Sequence, residues 1–250
     1  MENKEGMRTR RWYKENGLVD EEPKPKVTKI DIEKYPVVKF YGKIEYYTTF
    51  DDIALASDKL LNEVKESKDD IFPLGFDMEW PFSFKTGPGK TALIQICPNK
   101  RICYLFQVSL LTKLPAALTA LLGHERVKLC GVNIRNDIHK LGRDFPNIPK
   151  ETLLDNCIDS RSQAKEISKL RSWSMEKLVN YFLKMQIDKN KKIRMSQWHV
   201  IPLSDDQQKY AAIDAFISLS LYKHLKSLIK RAVLEEKQFN EQDSITPPIC

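Results

Sequence analysis

The sequence lacks the features of a membrane-spanning or secreted protein. None of its apolar runs approaches the roughly 20 residues that a membrane-spanning helix needs. The first residues, MENKEGMRTRRWYK, contain no apolar core of the kind found in secretory signals. We therefore expect no membrane partner and no secretory leader.

Cysteine is scarce and irregularly placed. The five cysteines are Cys97, Cys103, Cys130, Cys157 and Cys250, an odd number without a C-x-x-C pair. This spacing argues against a disulfide framework and against a zinc site. Cys97 and Cys130 lie in apolar runs typical of strands, where cysteine serves as a small core residue in a reducing compartment.

A phosphate-binding loop of the P-loop type is also missing. The sequence Gly89-Lys90-Thr91 matches the end of such a loop. Position 84, however, holds Phe where the loop requires its first glycine. The segment therefore needs another explanation.

The charge balance is basic, with a formal net charge of +7. Residues 1–26 are nearly neutral and residues 231–250 are acidic, so the excess of positive charge lies in the middle of the chain. A basic body fits a polyanionic partner such as nucleic acid. An ordinary basic soluble protein has the same balance, so charge alone does not decide between them.

Polarity divides the chain into a tail, a body and a second tail. Residues 1–36 are polar and without sustained periodicity, which predicts a mostly disordered segment. The cluster Arg8–Arg11 would suit a nuclear-import signal, although such clusters are common by chance. The pattern predicts one folded domain at 37–230 and a C-terminal tail at 231–250.

Alternating helical and strand-like patterns fill the predicted domain. Helical spacing begins near Asp51, a candidate N-cap. Strands are expected at 71–80, 91–97, 102–108 and 127–134 and around Ile158, and helices at 114–122, from Asn136, at 174–184 and at 205–230. This order predicts an α/β fold with a mixed sheet flanked by helices.

Two carboxylates stand out in the first of these strands. Asp77 and Glu79 are two residues apart, so their side chains point to the same face of a strand. Burying two like charges is unfavourable unless a cation joins them, and Mg²⁺ prefers carboxylate oxygens. If the strand instead ended at Phe76, both acids would be solvated, and an isolated D-x-E is too common to decide.

A later helix and a strand–helix junction carry two more acids. Tyr210 and Asp214 are four residues apart and share a helix face, in a segment that opens with the capping box Ser204 and Gln207. Aspartate is a poor residue for a helix interior, which suggests another use, although a surface aspartate fits equally well. Asp137 begins a helix after a strand, where α/β folds place sites and where the helix dipole also favours an acid.

The order D-x-E, then D, then Y-x-x-x-D resembles the DEDDy branch of the DnaQ-like 3′→5′ exonuclease superfamily. Asp77 and Glu79 match its first motif, Asp137 its second, and Tyr210 with Asp214 its third. Each signal is weak alone, but their joint occurrence in this order is much more specific.

Longer segments resemble one group within that superfamily. The runs FDMEWP, GKTALIQIC and YAAIDA are similar to Werner-type exonuclease domains, and the similarity extends over roughly residues 37–230. The resemblance implies a ribonuclease H-like fold, with a mixed five-stranded sheet flanked by helices. His139 departs from the group, because the human-type domain has a tryptophan at that place.

The resemblance implies a 3′→5′ exonuclease that hydrolyses phosphodiester bonds at free DNA 3′ ends with two Mg²⁺ or Mn²⁺ ions. In the hypothetical mechanism, Asp77 contacts both ions, Glu79 and Asp214 complete one site, Asp137 serves the other, and Tyr210 orients the attacking water. A nuclear role in DNA replication or repair is expected, and a helicase on a separate chain would be a possible partner. The alternatives are an RNA exonuclease of the ribonuclease D type and a non-catalytic nucleic-acid-binding protein on the same fold.

Six residues are candidates for substrate contacts. Met78 and Trp80 flank the acids and would pack on the terminal base or sugar, although Trp80 would serve equally well in the core. The candidates for phosphate contacts are Lys85, Lys90, His139 and Arg194. Arg194 belongs to a basic run, which is more often only a solvated surface.

Overall fold

The structure, a computed structural model, describes residues 33–168, 172–188 and 190–243, with side chains up to residue 234. The chain divides into two units, Met1–Lys34 and Tyr35–Cys250, and almost all of the first lies outside the described residues. The predicted disordered tail, apart from its last few residues, and the Arg8–Arg11 cluster therefore lie outside them too. None of the described helices is long and apolar enough to cross a membrane.

The second unit alternates strands and helices. Its strands are β1 (Lys43–Tyr47), β2 (Phe72–Glu79), β3 (Phe82–Ser83), β4 (Gly87–Pro88), β5 (Leu93–Asn99), β6 (Ile102–Gln107), β7 (Val127–Gly131) and β8 (Cys157–Asp159). Its helices are α1 (Phe50–Glu66), α2 (Ala116–Gly123), α3 (Ile134–Asp144), α4 (Lys150–Asp155), α5 (Ser160–Ile167), α6 (Met175–Leu178), α7 (Lys191–Arg194) and α8 (Asp205–Asp243), with a π-helical turn, Val179–Leu183, directly after α6.

Six of the described strands form one mixed sheet in the order β1-β6-β5-β2-β7-β8. Strands β2, β5 and β6 are antiparallel neighbours, whereas β1, β7 and β8 are parallel to the strands they pair with. The predicted α/β class is confirmed, but the expected count of five strands is wrong. The additional strand β1, with the sequence KIEYY, lies at an edge with every side chain at least partly exposed, so it lacks the alternation that marks a half-buried strand.

The capping box predicted for the last helix is confirmed. Gln207 Oε1 accepts from the Ser204 amide at 3.0 Å, and Ser204 Oγ accepts from the Gln207 amide at 3.2 Å. The cap predicted for α1 is wrong, because Thr49 rather than Asp51 accepts the amide of Asp52, at 3.1 Å. Asp51 lies in the first turn, where the helix dipole also favours an acid.

Several predicted helix bounds also differ from the structure. Helix α3 begins at Ile134, two residues before the expected start, and α8 continues beyond residue 230 to Asp243. The helix expected at 174–184 changes from α-helical to π-helical hydrogen bonding after Leu178. Periodicity identifies such elements better than their ends, because caps and bulges depend on single residues.

The two faces of β2 carry different kinds of side chain. Leu74, Phe76 and Met78 are buried in the core formed with α1 and α2. Because side chains alternate along a strand, Asp77 and Glu79 project from the opposite face, together with Gly75. That face lies against α8, so the acids of β2 and the acid of α8 meet on the same side of the sheet.

Gly75 allows α8 to approach β2. A Cβ atom at this position would lie 2.0 Å from the carbonyl oxygen of Ala215 and 2.9 Å from Cβ of Leu219. Ala211, Ala212 and Ala215 are fully buried and keep the facing surface of α8 small. The close approach of helix and strand therefore depends on small residues on both sides.

We expect Gly75→Ala to lower the free energy of unfolding by about 3 kcal/mol, because the new methyl group must displace α8. Thermal melts measure the effect. The matched control is Gly123→Ala at the end of α2, where the new Cβ would meet no atom nearer than 3.6 Å. Equal melting temperatures for the two variants would contradict this account of Gly75.

Candidate active site

A cleft of about 790 Å³ opens where the end of β2, the start of α3 and the face of α8 come together. Asp77, Glu79, Asp137 and Asp214 all line this cleft, and Tyr210 lines it with them. The structure thus brings together the four acids and the tyrosine that the sequence singled out. They come from three elements far apart in the chain.

Local structure places each of these side chains. Asp137 lies in the first turn of α3, just after Asn133, whose φ of 65° turns the chain out of β7. This turn is held by Asp159 Oδ1, which accepts from the Asn133 amide at 3.2 Å, and by Arg161, which donates to Asn133 Oδ1 at 2.5 Å. Asp214 is only 7% exposed. It lies one helical turn after Tyr210 on α8.

Burial raises the pKa of every carboxyl in the cluster. For Asp77 burial outweighs a hydrogen bond from the Met78 amide and raises the pKa to about 6. For Asp137 and Asp214 burial comes first and repulsion from Asp77 second, and each pKa rises to about 8. The pKa of Glu79 lies well above its ordinary value, owing to burial and then to repulsion from Asp77 and Asp214. The four carboxyls therefore form one mutually repelling group.

Arginine partly offsets this repulsion. The guanidinium of Arg194 lowers the pKa of Asp77, Glu79 and Asp214, although burial outweighs it in each case. Arg161 acts in the same direction on Asp137. Two arginines facing four carboxylates leave the cluster with an excess of negative charge whenever all the acids are ionised.

The donor set suits a divalent cation, because carboxylate oxygens are the ligands that Mg²⁺ and Mn²⁺ prefer. In the part of the chain that the structure describes, no three acidic, histidine or cysteine side chains stand close enough to coordinate one ion. The chemistry of the donors therefore fits a metal, and the raised pKa values show that the cluster holds more negative charge than its surroundings stabilise.

Tyr210 is tied to this cluster. Its hydroxyl is hydrogen-bonded to Asp214, and its ring packs against Trp198 with 6.0 Å between centroids. Burial, followed by the negative charges of Asp214 and Glu79, raises its pKa above the ordinary value. The phenol therefore stays protonated at neutral pH, as a hydrogen-bond donor rather than a base.

Trp80 and Arg194, two of the predicted substrate contacts, line the cleft. Met78 borders it, but its side chain belongs to the core and is only 3% exposed. The buried side chain of Met78 is therefore not available to pack on a base or sugar, as the sequence had suggested.

Lys90 and His139 lie outside the lining of the cleft. The Lys90 amine donates to the carbonyl of Leu111 and lies 4.4 Å from the centre of the Phe145 ring. His139 is exposed two residues after Asp137, a spacing that puts the two side chains on different helix faces. Their predicted phosphate contacts have no support in this arrangement.

Sequence reasoning overlooked Lys140, which is buried on α3. Its amine donates to the Gly89 carbonyl at 2.6 Å, pairs with Asp144 at 2.9 Å and lies 5.1 Å from the centre of the Trp80 ring. It thereby joins the helix that carries Asp137 to Trp80 and to the segment after β4. The four-residue spacing of Lys140 and Asp144 in the sequence indicates an ion pair on a helix. Such pairs usually lie on the exposed surface, so the spacing alone does not predict a buried lysine.

We expect Lys140→Met to lower the free energy of unfolding by about 3 kcal/mol. Asp144 would lose its cationic partner in a poorly solvated place and keep only the hydrogen bonds from the amide and hydroxyl of Thr91. Chemical denaturation at neutral pH measures the loss. The double variant Lys140→Met/Asp144→Asn should recover much of it, since no unpaired charge remains. A double variant less stable than Lys140→Met would show that the charge of Asp144 is not the cause.

Comparison with known sequences gives the family. The profile of a family described as "3'-5' exonuclease" matches residues 47–230. A "3'-5' exonuclease" of Drosophila erecta is 46% identical over 224 residues, which are 89% of this chain and 63% of that protein. The chain therefore spans slightly less than two thirds of that relative's length.

Solved structures share the fold. The catalytic core of RRP6 from Trypanosoma brucei has a TM-score of 0.59 and 19% identity, covering 86% of this chain and 57% of that chain. RNase D of Escherichia coli has a TM-score of 0.56 and 19% identity, covering 81% and 51%. These likenesses confirm the ribonuclease H-like fold expected from the sequence. The family profile spans most of the described unit, and the chain is therefore a member of the DnaQ-like 3′→5′ exonucleases, a family of metal-dependent nucleases that act on nucleic acids.

Proposed function

We propose that this chain is a 3′→5′ exodeoxyribonuclease of the Werner type, which removes nucleotides from DNA 3′ ends with the help of two Mg²⁺ or Mn²⁺ ions. The observation that carries the proposal is the convergence of Asp77, Glu79, Asp137 and Asp214 in one cleft, with raised pKa values throughout. A cluster of buried like charges lowers the stability of the folded protein, so its presence suggests a function. Active sites often combine burial and like charges in this way.

Asp77 would hold both cations. Its charge raises the pKa of the other three carboxyls, so it lies near each of the acids that would share them. Glu79 and Asp214 would complete one cation site, and Asp137 would serve the other. When bound, two such ions neutralise charge on the phosphoryl group and help to form the nucleophile and release the leaving oxygen.

Side chains of the cleft would position the attacking water and the substrate. The protonated hydroxyl of Tyr210 can hold the attacking water by a hydrogen bond, since a phenol is too weak a base to deprotonate it. Arg194 presents a guanidinium, whose planar set of donors matches phosphate oxygens. The Trp80 ring, fixed by Lys140, offers a flat apolar surface to the terminal nucleoside.

Tyr210→Phe should lower kcat about 100-fold and change KM little, because it removes a hydrogen bond to the water and leaves the ring in place. Steady-state rates and DNA-binding constants separate the two effects. Tyr222→Phe, on the same helix but outside the lining of the cleft, is the matched control and should keep normal rates. A defect of Tyr210→Phe that appears only in binding would refute the orienting role.

The preference for DNA is supported by the run DMEWP at the first two acids and by the other segments that resemble Werner-type domains. RNase D, described as an exoribonuclease, shares the fold at 19% identity. At this identity its substrate gives no information about the substrate of this chain. We also propose a nuclear location and a role in DNA replication or repair, with a helicase on a separate chain as a candidate partner. These rest on the Werner-type resemblance.

An assay on matched substrates tests the proposed activity. The full chain is incubated with 3′-recessed DNA, blunt DNA and RNA of the same sequence, with Mg²⁺, with Mn²⁺ or with a chelator. The proposal expects metal-dependent release of nucleotides from 3′ ends, faster on DNA. Faster release from RNA would favour the ribonuclease D type. Tight binding without hydrolysis would favour a non-catalytic binding protein.

A further inference from the structure

A hairpin beside the cleft exposes two aromatic side chains. Strands β3 and β4 pair antiparallel, directly after Trp80. Phe82 lines the cleft and is 42% exposed, whereas Phe84 in the turn is 95% exposed. Their ring centres are 5.4 Å apart, with the planes at 88°. The two rings contact each other edge to face.

The base of this hairpin is held firmly. The Gly89 amide donates to the Pro81 carbonyl at 2.8 Å, and the Ala92 amide donates to the Glu79 carbonyl at 2.8 Å. Lys140 adds its bond of 2.6 Å to the Gly89 carbonyl. The aromatic tip therefore stands on an anchored base that is continuous with the strand bearing Asp77 and Glu79.

The exposed rings and the local charge indicate the kind of ligand. A phenylalanine as exposed as Phe84 gains nothing from folding, and exposed aromatics next to a cleft mark binding surfaces. The segment from Pro81 to Thr91 contains two lysines, Lys85 and Lys90, and no acid. Aromatic rings next to positive charge are the elements with which proteins bind single-stranded nucleic acid.

We propose, building on the proposed function, that Phe82 and Phe84 stack on unpaired nucleobases of the strand whose 3′ end lies in the cleft. Phe84 follows Glu79 by five residues, so its Cα atom lies at most about 18 Å from that of Glu79. That distance corresponds to a few nucleotides of the strand. Lys85, exposed beside Phe84, meets the phosphates between those bases.

Stacking would give the site a preference among DNA ends that the acids alone would not. A ring accepts any base face, so the contact tolerates every sequence that the nuclease must remove. Bases within a duplex have their faces covered by neighbouring pairs. The hairpin therefore selects substrates with an unpaired 3′ segment, and blunt ends must fray before they engage it.

Two oligonucleotide probes test the contact. The first is a fluorescein-labelled oligodeoxyadenylate of about 12 nucleotides, and the second is an abasic strand with the same phosphates. Both are titrated by fluorescence anisotropy against the full chain with Mg²⁺, in an Asp214→Asn background that prevents cleavage. The proposal expects Phe84→Ala to weaken binding of the first probe about 10-fold and to leave the second unchanged.

Two variants control the experiment. Phe84→Trp keeps a flat ring and should retain the wild-type affinity for both probes. Leu55→Ala removes another exposed apolar side chain, on α1, and should change neither affinity. Because Phe84 is almost fully exposed, its replacement by alanine should leave the melting temperature unchanged.

Several results would overturn the stacking contact. They are equal affinities of Phe84→Ala and wild type for the base-carrying probe, equal losses for both probes, or no measurable binding of either probe. These measurements need no hydrolysis. A chain that releases no nucleotides yet loses only base-dependent binding in Phe84→Ala would contradict the proposed function and support the stacking contact.

Discussion

Replacing Asp77 or Asp214 by alanine should reduce metal-dependent nucleotide release by at least about 1,000-fold while the fold remains intact. Asp77 affects the pKa of the other three carboxyls, so its removal takes away the centre of the cluster. Asp214 is buried and hydrogen-bonded to Tyr210, so its loss also frees the hydroxyl that we propose to orient the water. Initial rates on a 3′-recessed DNA measure the loss.

A variant on the same helix provides the control. Asp206→Ala removes an exposed aspartate from the first turn of α8, outside the lining of the cleft, and should keep the wild-type rate. Circular dichroism and melting curves of all three variants should confirm that they fold. If Asp77→Ala or Asp214→Ala kept more than about a tenth of the activity, the assignment of the metal-binding acids would be wrong.

The metal-free protein should lose stability from the cluster as the pH rises from about 4 to about 8. Folding raises the pKa of Asp77 to about 6 and of Asp137 and Asp214 to about 8, from an ordinary value of 3.8. In this window the folded state therefore binds more protons than the unfolded state, and the free energy of unfolding falls as pH rises. Above the folded pKa values this contribution stays constant.

Asp214→Asn isolates this effect from other titrating groups, because the amide keeps the shape of the side chain without its charge. In a chelator, the variant should exceed the wild type in free energy of unfolding by about 3 kcal/mol at pH 8 and match it near pH 4. Saturating Mg²⁺ at pH 8 should stabilise the wild type more than the variant, because the variant has lost a ligand. Urea denaturation at both pH values provides the comparison. An Asp214→Asn protein less stable than wild type at pH 8 without metal would exclude repulsion within the cluster.

The residues of the candidate site could be singled out because their spacings are local and occur together in one order. Asp77 and Glu79 share a face through the two-residue period of a strand, and Tyr210 and Asp214 through the four-residue spacing of a helix. The position of Asp137 follows from the strand–helix junction. Only the close approach of these residues to one another could not be predicted without the fold. Gly75 gives one physical reason for that approach, because its missing side chain lets α8 lie against β2.

The features that escaped prediction depend on distant partners. Lys140 has the sequence context of a surface lysine, and its role appears only from the Gly89 carbonyl, Asp144 and the Trp80 ring around it. Strand β1 is defined by pairing with β6 rather than by its own pattern. Met78 looked available for substrate because its neighbours are acids, but strand alternation turns its side chain into the core.

Anomalous X-ray diffraction from crystals of the protein soaked in Mn²⁺ tests the central claim most directly. If negative side chains from β2, α3 and α8 are gathered to hold cations, two anomalous peaks should lie in the cleft, within coordination distance of Asp77 and at least one of the other acids. An empty cleft at saturating Mn²⁺, or peaks bound only by carboxylates elsewhere on the surface, would contradict it.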